Sequence, residues 1–505
     1  MSGEPEPSWA RIGIMLSLAV VFYYVVLLSA YNLWIHPLAK FPGPRTWAVS
    51  QVPWALMFIS GKSHQRLAEL HERYGHIVRV GPNELSYIQP EAWDAIMGRR
   101  KGYSENPKPH WYCNPDNKDI VGAPRNDHAR MRRLLSHGFS ANAMAQQEPL
   151  INRYVDLLVE RLREKAKTGT GVVDVSSWYN YCLFDLIGDL SFGEHFGCLD
   201  GSTMHPWVAL IFANIRTTAI GAALSRFSLL RIVLPLILPR KLQQQAYELK
   251  RLAREKVARR LAVTDPRPDF IEAMASGKGD QALTGEEINS NAMVLAIAGS
   301  ETTATALTGA TYLIATNPRV MARLAEEVRC CFKDERDIRL TGASNLPYLS
   351  AVIKESLRIY PPGPNTQPRI TPPGGNIILG DHIPGKTVLG IPQRAAYLSE
   401  SNFRRAKEFV PERWLDDAEF SSDRKDCFNP FSVGPRNCIG VNLAYAELRM
   451  IITRLVWTFD FEIAECSHSW MERQRSYLLW DKGPLYVRLS ARSLSYKHQG
   501  AGEVS

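Results

Sequence analysis

The chain has 505 residues, of which 45% are hydrophobic and 22% charged, and its formal net charge is +9. This composition is typical of a folded globular protein and excludes a disordered one. The basic residues are not interleaved with aromatic ones as in nucleic-acid-binding proteins, so we expect no nucleic-acid partner. The eight cysteines are scattered without a paired motif, which indicates reduced thiols and not a disulfide framework.

An uncharged segment near the N-terminus predicts a transmembrane helix. No Asp, Glu, Lys or Arg lies between Arg11 and Lys40, and the apolar stretch 12–30 is long enough to cross a bilayer, which needs about 20 residues. A cleaved signal peptide is the alternative, but its apolar stretch is normally only about 7–15 residues long. Basic residues follow the segment and acidic ones precede it, so the positive-inside rule leaves the rest of the chain in the cytosol. We therefore expect residues 1–40 to form a retained single-pass anchor.

Two pairs of β-rich segments predict hairpins. Residues 76–80 and 84–88 are separated by Gly81-Pro82-Asn83, a typical turn sequence. Near the C-terminus, residues 477–480 and 485–489 predict a closing hairpin by the same reasoning. Between these ends, most of residues 141–262 have apolar side chains at a spacing of three to four, which predicts helices. The apolar stretch 207–238 is predicted to belong to the core.

A short basic helix is predicted over residues 127–136. His128 and Arg132 lie four residues apart and therefore share one face of this helix. On sequence grounds alone, such residues are most often solvated surface groups.

A long helix is predicted after the Thr-x-x-Glu capping box at Thr284. It contains no proline before Pro318, and in its middle lies the sequence Ala-Gly-Ser-Glu-Thr-Thr of residues 298–303. An acid, Glu301, and an alcohol, Thr302, beside a glycine are poor choices for helix stability, since glycine alone costs about 1 kcal/mol. The hydroxyl groups could simply bond to the carbonyls four residues before them and bend the helix. A small-residue notch with an acid–alcohol pair also suits a site that activates oxygen.

The stretch 431–440, Phe-Ser-Val-Gly-Pro-Arg-Asn-Cys-Ile-Gly, places Cys438 just before a helix with one apolar face. Free N–H groups and the dipole at a helix N-terminus favour a thiolate. Zinc would need three or four ligands, and no such set accompanies this cysteine. A lone thiolate suits the axial position of a large planar cofactor. The alternative interpretation is a small buried cysteine that caps a helix.

Together these motifs resemble the cytochrome P450 family, the haem-thiolate monooxygenases. The stretch 431–440 matches the family's haem-binding loop, and residues 298–302 match the motif of its central helix. The leader resembles that of microsomal fungal members that modify secondary metabolites. The resemblance implies a mainly α protein with a small β-region, folded as one P450 catalytic domain over residues 41–505 behind an N-terminal transmembrane helix.

The resemblance also implies a cofactor, haem b, whose iron is ligated by the Cys438 thiolate. In the family a tryptophan commonly stands where this chain has His128, but a histidine can still donate to a haem propionate. A buried triad of Glu355, Arg358 and Arg413 is implied to hold the cofactor side of the fold together without a chemical role. The other residues that the resemblance assigns to cofactor binding are Phe431, Gly434, Arg436, Gly440, Arg132 and Arg369.

The implied activity is hydroxylation or epoxidation of a lipophilic small molecule with O₂, and the implied substrate class is a terpenoid or polyketide secondary metabolite. Thr302 and Glu301 would organise proton delivery to the bound oxygen. The chain ends 67 residues after Cys438 and contains no Gly-x-Gly-x-x-Gly after a strand, so electrons are expected from a separate NADPH-dependent reductase. The implied location is the endoplasmic reticulum membrane, with the anchor in lipid and the catalytic domain in the cytosol.

Two alternatives remain open. Some haem-thiolate relatives isomerise or dehydrate peroxides without a reductase, but they usually depart from the acid–alcohol pattern that Glu301 and Thr302 preserve. The other alternative is a membrane-anchored haem protein without turnover.

Overall fold

The computed structural model describes residues 9–113, 117–168, 170–227, 230, 239–263 and 265–492. Part of the apolar stretch 207–238 therefore lies outside the described residues. The same is true of residues 1–8 of the expected anchor and residues 493–505 of the expected catalytic domain.

Helices make up most of the described chain, which confirms a mainly α fold. In chain order they are α1 Trp9–Ala30, α2 Arg45–Val49, α3 Val52–Ile59, α4 Ser63–Tyr74, α5 Ala92–Met97, α6 Arg125–Gly138, α7 Ala141–Lys167, α8 Val175–Phe192, α9 Cys198–Gly201, α10 Pro206–Leu224, α11 Arg240–Leu261, α12 Phe270–Ala275, α13 Gly285–Ala315, α14 Pro318–Cys331, α15 Leu340–Ser344, α16 Pro347–Ile359, α17 Gln393–Tyr397 and α18 Val441–Thr458.

The first helix stands apart from the rest of the fold. Together with the short π-helix Tyr31–Ile35 that continues α1, it contains a stretch, Arg11–Ile35, with a mean hydropathy of 2.4. No residue from 11 to 30 is buried against protein, so the apolar side chains of this part have no core to enter. The hydroxyls of Ser17 and Ser29 donate to carbonyls four residues earlier, which satisfies them inside the helix. The segment is therefore long and apolar enough to cross a membrane.

Small sheets complete the fold. The strands are β1 Ile77–Gly81, β2 Glu84–Tyr87, β3 Val172–Asp174, β4 Arg369–Ile370, β5 Asn376–Ile378, β6 Asp381–Ile383, β7 Val388–Gly390, β8 Phe459–Ile463, β9 Arg475–Ser476, β10 Trp480–Asp481 and β11 Tyr486–Ala491. The largest sheet has the order β1-β2-β7-β4, and its antiparallel β1–β2 pair confirms the first predicted hairpin. The predicted closing hairpin is wrong, because β10 pairs with β9 whereas β11 lies between β3 and β8.

The long helix α13 is the centre of the fold. Its predicted capping box is confirmed, since the Thr284 hydroxyl accepts from the N–H of Glu287 while the Glu287 carboxylate accepts from the N–H of Thr284. Small side chains in its middle let α8 approach closely, and a Cβ on Gly299 would lie 3.3 Å from Ile187 of α8. The helix also packs against α16 and α18. It therefore forms a fixed wall along which a site can be built.

A buried ion network joins α16 to the segment before the cysteine loop. Arg358 donates to both carboxylate oxygens of Glu355 at 2.9 and 2.8 Å, and Arg413 donates to the same carboxylate at 3.0 Å. All three side chains are fully buried. Burial acts to raise the pKa of Glu355, but the two guanidinium groups hold it below its usual value. The buried triad that the sequence implied is therefore confirmed.

Candidate functional site

A cavity of about 410 Å³ lies beside the middle of α13. Most of its surface is apolar, and it is large enough to hold a sizeable small molecule or cofactor. Seven of the residues predicted for the site line it: Cys438, Phe431, Gly440, Arg436, Arg132, His128 and Thr302. Gly434, Arg369 and Glu301 are not part of its lining.

The loop before α18 presents Cys438 to the cavity. Its turn is closed by hydrogen bonds from the N–H of Cys438 to the Phe431 carbonyl, 2.9 Å, and from the N–H of Asn437 to the Gly434 carbonyl, 3.1 Å. Gly434 has a φ of +78°, and a Cβ there would lie 2.2 Å from the carbonyl oxygen of Met97. Glycine is therefore required at this position although it does not touch the cavity.

Two opposing effects act on the Cys438 thiolate that the sequence predicts. Burial raises the pKa of the thiol, while the backbone N–H of Gly440 and the charge on Arg132 oppose the shift. Cys438 nevertheless lines the cavity and is exposed to it. A coordinated metal ion deprotonates a thiol outright. The site therefore fits a metal-bound cysteine better than a free nucleophile.

Positive charge is concentrated at one side of the cavity. Arg132 donates to the backbone carbonyl of Asn437 at 2.7 Å, and Arg436 donates to Glu105 at 2.7 Å and to the Ala123 carbonyl at 3.0 Å. Burial, helped by Arg436 and Arg132, lowers the pKa of His128 to about 4. His128 is therefore a neutral donor at pH 7.

Arg369 does not line the cavity, but it lies close to Arg436 and adds to the positive charge at this side of the cavity. Its side chain is buried, and its one hydrogen bond among the described residues goes to the neighbouring Pro368 carbonyl, 3.2 Å away. Burial lowers the pKa of Arg369 to about 10, so the guanidinium stays charged at pH 7. Lys108, which the sequence analysis missed, lines the cavity nearby, and burial lowers its pKa to about 8.

Buried cations of this kind are stable only with counter-charge. Two carboxylates, Glu105 beside Arg436 and Asp119 near Lys108, face four cationic groups: Arg132, Arg369, Arg436 and Lys108. The surplus suits an anionic ligand, and the two propionates of haem b meet this requirement. The donor set around the cavity therefore fits the cofactor that the sequence resemblance implies.

The acid and the alcohol of α13 point in different directions. Thr302 lines the cavity, and its hydroxyl donates to the Ala298 carbonyl at 2.6 Å. Glu301 is buried outside the lining, where Oε1 accepts from Thr305 at 3.2 Å and from the ammonium of Lys482. Its Oε2 has no partner within the described structure. Burial raises the pKa of Glu301, and Lys482 opposes the shift.

A third acid, Glu447 of α18, also lines the cavity and was not predicted. It is buried, and one of its carboxylate oxygens, Oε1, has no hydrogen-bond partner among the described residues. Burial raises the pKa of Glu447 to about 8, and Thr303 opposes the shift. The sequence did carry a signal for it, because Glu447 interrupts the apolar face formed by Ala444 and Leu448.

An aromatic arm of the cavity was also missed by sequence reasoning. It is lined by Trp54 and Phe58 of α3, Glu84 of β2, Trp111 and Ala222 of α10. No local pattern marks these residues, because they come together from four separate segments of the chain.

Comparison with known proteins agrees with the geometry. Residues 41–489 match the family model described as cytochrome P450. The chain is 47% identical over 477 residues to the cytochrome P450 monooxygenase bet2 of Neocamarosporium betae, a match that covers 92% of this chain and 91% of the relative. It is 43% identical over 473 residues to the trichothecene C-15 hydroxylase of Fusarium sporotrichioides, covering 93% and 96%. It is 42% identical over 468 residues to the averantin hydroxylase of Dothistroma septosporum, covering 92% and 89%. The chain therefore belongs to the cytochrome P450 family of monooxygenases, which bind haem b through a cysteine thiolate.

Proposed function

We propose that this monooxygenase hydroxylates or epoxidises a lipophilic small molecule of the terpenoid or polyketide class. The observation that carries the proposal is a largely apolar cavity that brings Cys438 and Thr302 into one space. An apolar cavity with few polar groups favours a lipophilic substrate and orients it through those groups. Relatives named for trichothecene and averantin hydroxylation support the same class.

The site residues have separate roles in this proposal. Cys438 ligates the haem iron, and the loop residues Phe431, Gly434 and Gly440 shape its surroundings. Arg132, His128, Arg369 and Arg436 stabilise the propionates. The haem, when bound, supplies O₂ activation, which a thiolate ligand favours by pushing electron density toward the O–O bond.

Thr302 and Glu301 are proposed to hold and pass on the protons that O₂ activation would require, with the Thr302 hydroxyl as the group that faces the cavity. The Thr302 hydroxyl lines the cavity and can exchange its bond to the Ala298 carbonyl for one to a bound ligand. Glu301 lies on the side of α13 that faces away from the cavity, where its carboxylate accepts from Lys482. This arrangement requires the Glu301 side chain to move or to exchange protons through Thr305 or solvent.

Electrons are proposed to come from a membrane-bound NADPH-dependent reductase. The net charge of +9 supports contact with an acidic partner, and raising the ionic strength should slow electron transfer. We further propose that residues 1–40 anchor the protein in the endoplasmic reticulum membrane and that residues 41–505 form the catalytic domain in the cytosol. The exposed apolar helix α1 supports this arrangement.

The first test is the absorbance spectrum of the dithionite-reduced, carbon-monoxide-bound protein beside its Cys438→Ala variant. We expect a strongly red-shifted Soret band that C438A loses and that Cys466→Ala, a change of an exposed cysteine outside the cavity, retains. A band typical of histidine ligation, or no bound haem, would mean that Cys438 only caps a helix.

Turnover is tested by NADPH oxidation coupled to loss of a candidate substrate in the presence of a reductase. Conversion of a peroxide without reductase would instead establish an isomerase or dehydratase. Haem binding with neither activity would favour the haem protein without turnover.

A further inference from the structure

A buried ion pair lies at the aromatic arm of the cavity and has no role in the mechanism proposed above. The guanidinium of Arg226 donates through Nη2 to Oε2 of Glu84, and both side chains are buried. Arg226 itself lies between two indole rings, with its central carbon 3.7 Å from the ring centroid of Trp54 and 4.4 Å from that of Trp111. Its Nε donates to Gln51 at 3.3 Å. The two rings are T-shaped to each other, with planes 70° apart, so they contact the guanidinium from two adjacent sides.

This pair is incompletely satisfied. Nη1 of Arg226 is buried without a hydrogen-bond partner among the described residues. On Glu84, Arg226 is the one side chain in the described structure that donates to the carboxylate, and it uses a single oxygen. The other oxygen, Oε1, belongs to a residue that lines the cavity. Glu84 therefore keeps the capacity to accept a hydrogen bond from a group in the cavity.

The surroundings of Glu84 define what could supply the missing hydrogen bond. Trp54, Phe58 and Trp111 line the arm with aromatic carbon, although the Trp54 ring is itself stacked on Phe58 and covered by Arg226. The arm therefore suits the hydrocarbon rings of a ligand. The carboxylate needs a donor, and a hydroxyl group is the smallest donor that leaves the ligand neutral.

We propose that Glu84 is a specificity-determining residue that accepts a hydrogen bond from an alcohol or phenol group of an otherwise apolar, ring-containing substrate, with Arg226 as the residue that positions it. This inference rests on the proposed function of the cavity as the substrate site. The competing explanation is that Glu84 and Arg226 only tie β2 to the end of α10. In that case the pair stabilises the fold but does not discriminate between ligands.

The test uses haem-loaded protein and two probes that differ in one hydrogen-bond donor, 1-hydroxypyrene and 1-methoxypyrene. Their dissociation constants are measured at pH 7 by equilibrium dialysis and checked by the change in the Soret band on binding. We expect the wild-type protein to bind the hydroxy compound about tenfold more tightly, the effect of one hydrogen bond to a charged group. In Glu84→Gln, Arg226 captures the amide oxygen and leaves an NH₂ group toward the cavity. We therefore expect the preference to disappear or reverse.

The control is Glu194→Gln, which removes an ion-paired glutamate that does not line the cavity and should leave the preference unchanged. Equal affinities of the wild-type protein for both probes would overturn the proposal for Glu84. An E84Q variant that melts earlier but keeps the tenfold preference would establish the purely structural explanation and also overturn it. Failure of both probes to bind or to shift the Soret band would instead overturn the proposed lipophilic substrate, and the inference with it.

Discussion

Two buried ion pairs of this protein differ in how completely their polar atoms are satisfied. Glu355 lies away from the cavity, and its two oxygens accept five hydrogen bonds, from Arg358, Arg413, Trp414 and the N–H of Val410. Glu84 lies beside the cavity, and within the described chain its carboxylate accepts from Arg226 alone. A buried charge pair stabilises a fold only when its remaining polar atoms are paired.

The comparison distinguishes fully paired charges, which have a structural role, from charges at the cavity that could still bind a ligand. Near Glu355 every oxygen has a protein donor, so no ligand is needed and none could enter. At the cavity, Oε1 of Glu447 has no partner within the described structure, and the carboxylate of Glu84 accepts from Arg226 through one oxygen. These two acids, which line the cavity, are therefore less completely paired than Glu355.

Glu355→Gln is expected to give the largest effect on stability. The change leaves Arg358 and Arg413 buried with one compensating charge fewer, which costs about 3–5 kcal/mol. Denaturant unfolding of the haem-loaded protein measures this loss. Glu408→Gln, in an exposed pair with Arg405, is the matched control and should leave the unfolding midpoint unchanged. Equal midpoints for E355Q and wild type would contradict a structural role for the network.

Glu447→Gln should change how stability depends on pH. The folded protein raises the pKa of Glu447 to about 8, so its carboxyl keeps a proton that the unfolded chain has already lost. Wild-type stability from this group is present at low pH and is lost as the pH rises from about 5 through 8, by about 1.4 kcal/mol per pH unit. Glutamine does not titrate. The advantage of E447Q over wild type, measured by unfolding at several pH values, should therefore grow with pH, and parallel curves would contradict the high pKa.

The features that sequence predicts well are those set by neighbouring residues. The cysteine loop is recognisable because Gly434 needs a positive φ and sits against Met97, and helix α13 because Thr284 and Glu287 satisfy each other's backbone. The first hairpin needs only a tight turn between its strands. Each of these signals lies within about ten residues of sequence.

The features that sequence missed are made by residues far apart in the chain. Lys482 reaches Glu301 across 181 residues, and Arg226 reaches Glu84 across 142. Pairing of this kind leaves no local pattern, since either partner alone reads as an ordinary surface charge. The wrong closing hairpin has the same cause, because β11 pairs with β3 near the start of α8 and not with its neighbour β10. Which strands and side chains pair over long distances in the sequence depends on tertiary packing and not on the residues of the turns.

Arg369→Gln should weaken the retention of haem but leave the stability of the fold unchanged or higher. Arg369 has no carboxylate partner in the described chain, so removing its charge should leave the unfolding free energy of the protein unchanged or higher. If Arg369 stabilises the propionates as proposed, loss of its charge should speed haem loss roughly tenfold, the effect of one charge-assisted interaction. Transfer of haem to excess apomyoglobin measures this rate. Destabilisation as large as that of E355Q would show that Arg369, like Glu355, is part of a fully paired structural network.

Glu105→Gln is the counterpart of that change and should have the smallest effect. Glu105 neutralises Arg436 from a partly exposed position, and its amide isostere can still accept the 2.7 Å hydrogen bond. The change makes the cluster more positive, so haem loss in the same transfer experiment should become slower, and not faster as in R369Q. A partly exposed pair is worth up to about 1 kcal/mol, so the effect should stay below about fivefold. Haem loss that becomes faster in both variants would mean that Glu105 and Arg369 act by holding the loop in place, because a charge effect must change sign with the charge removed.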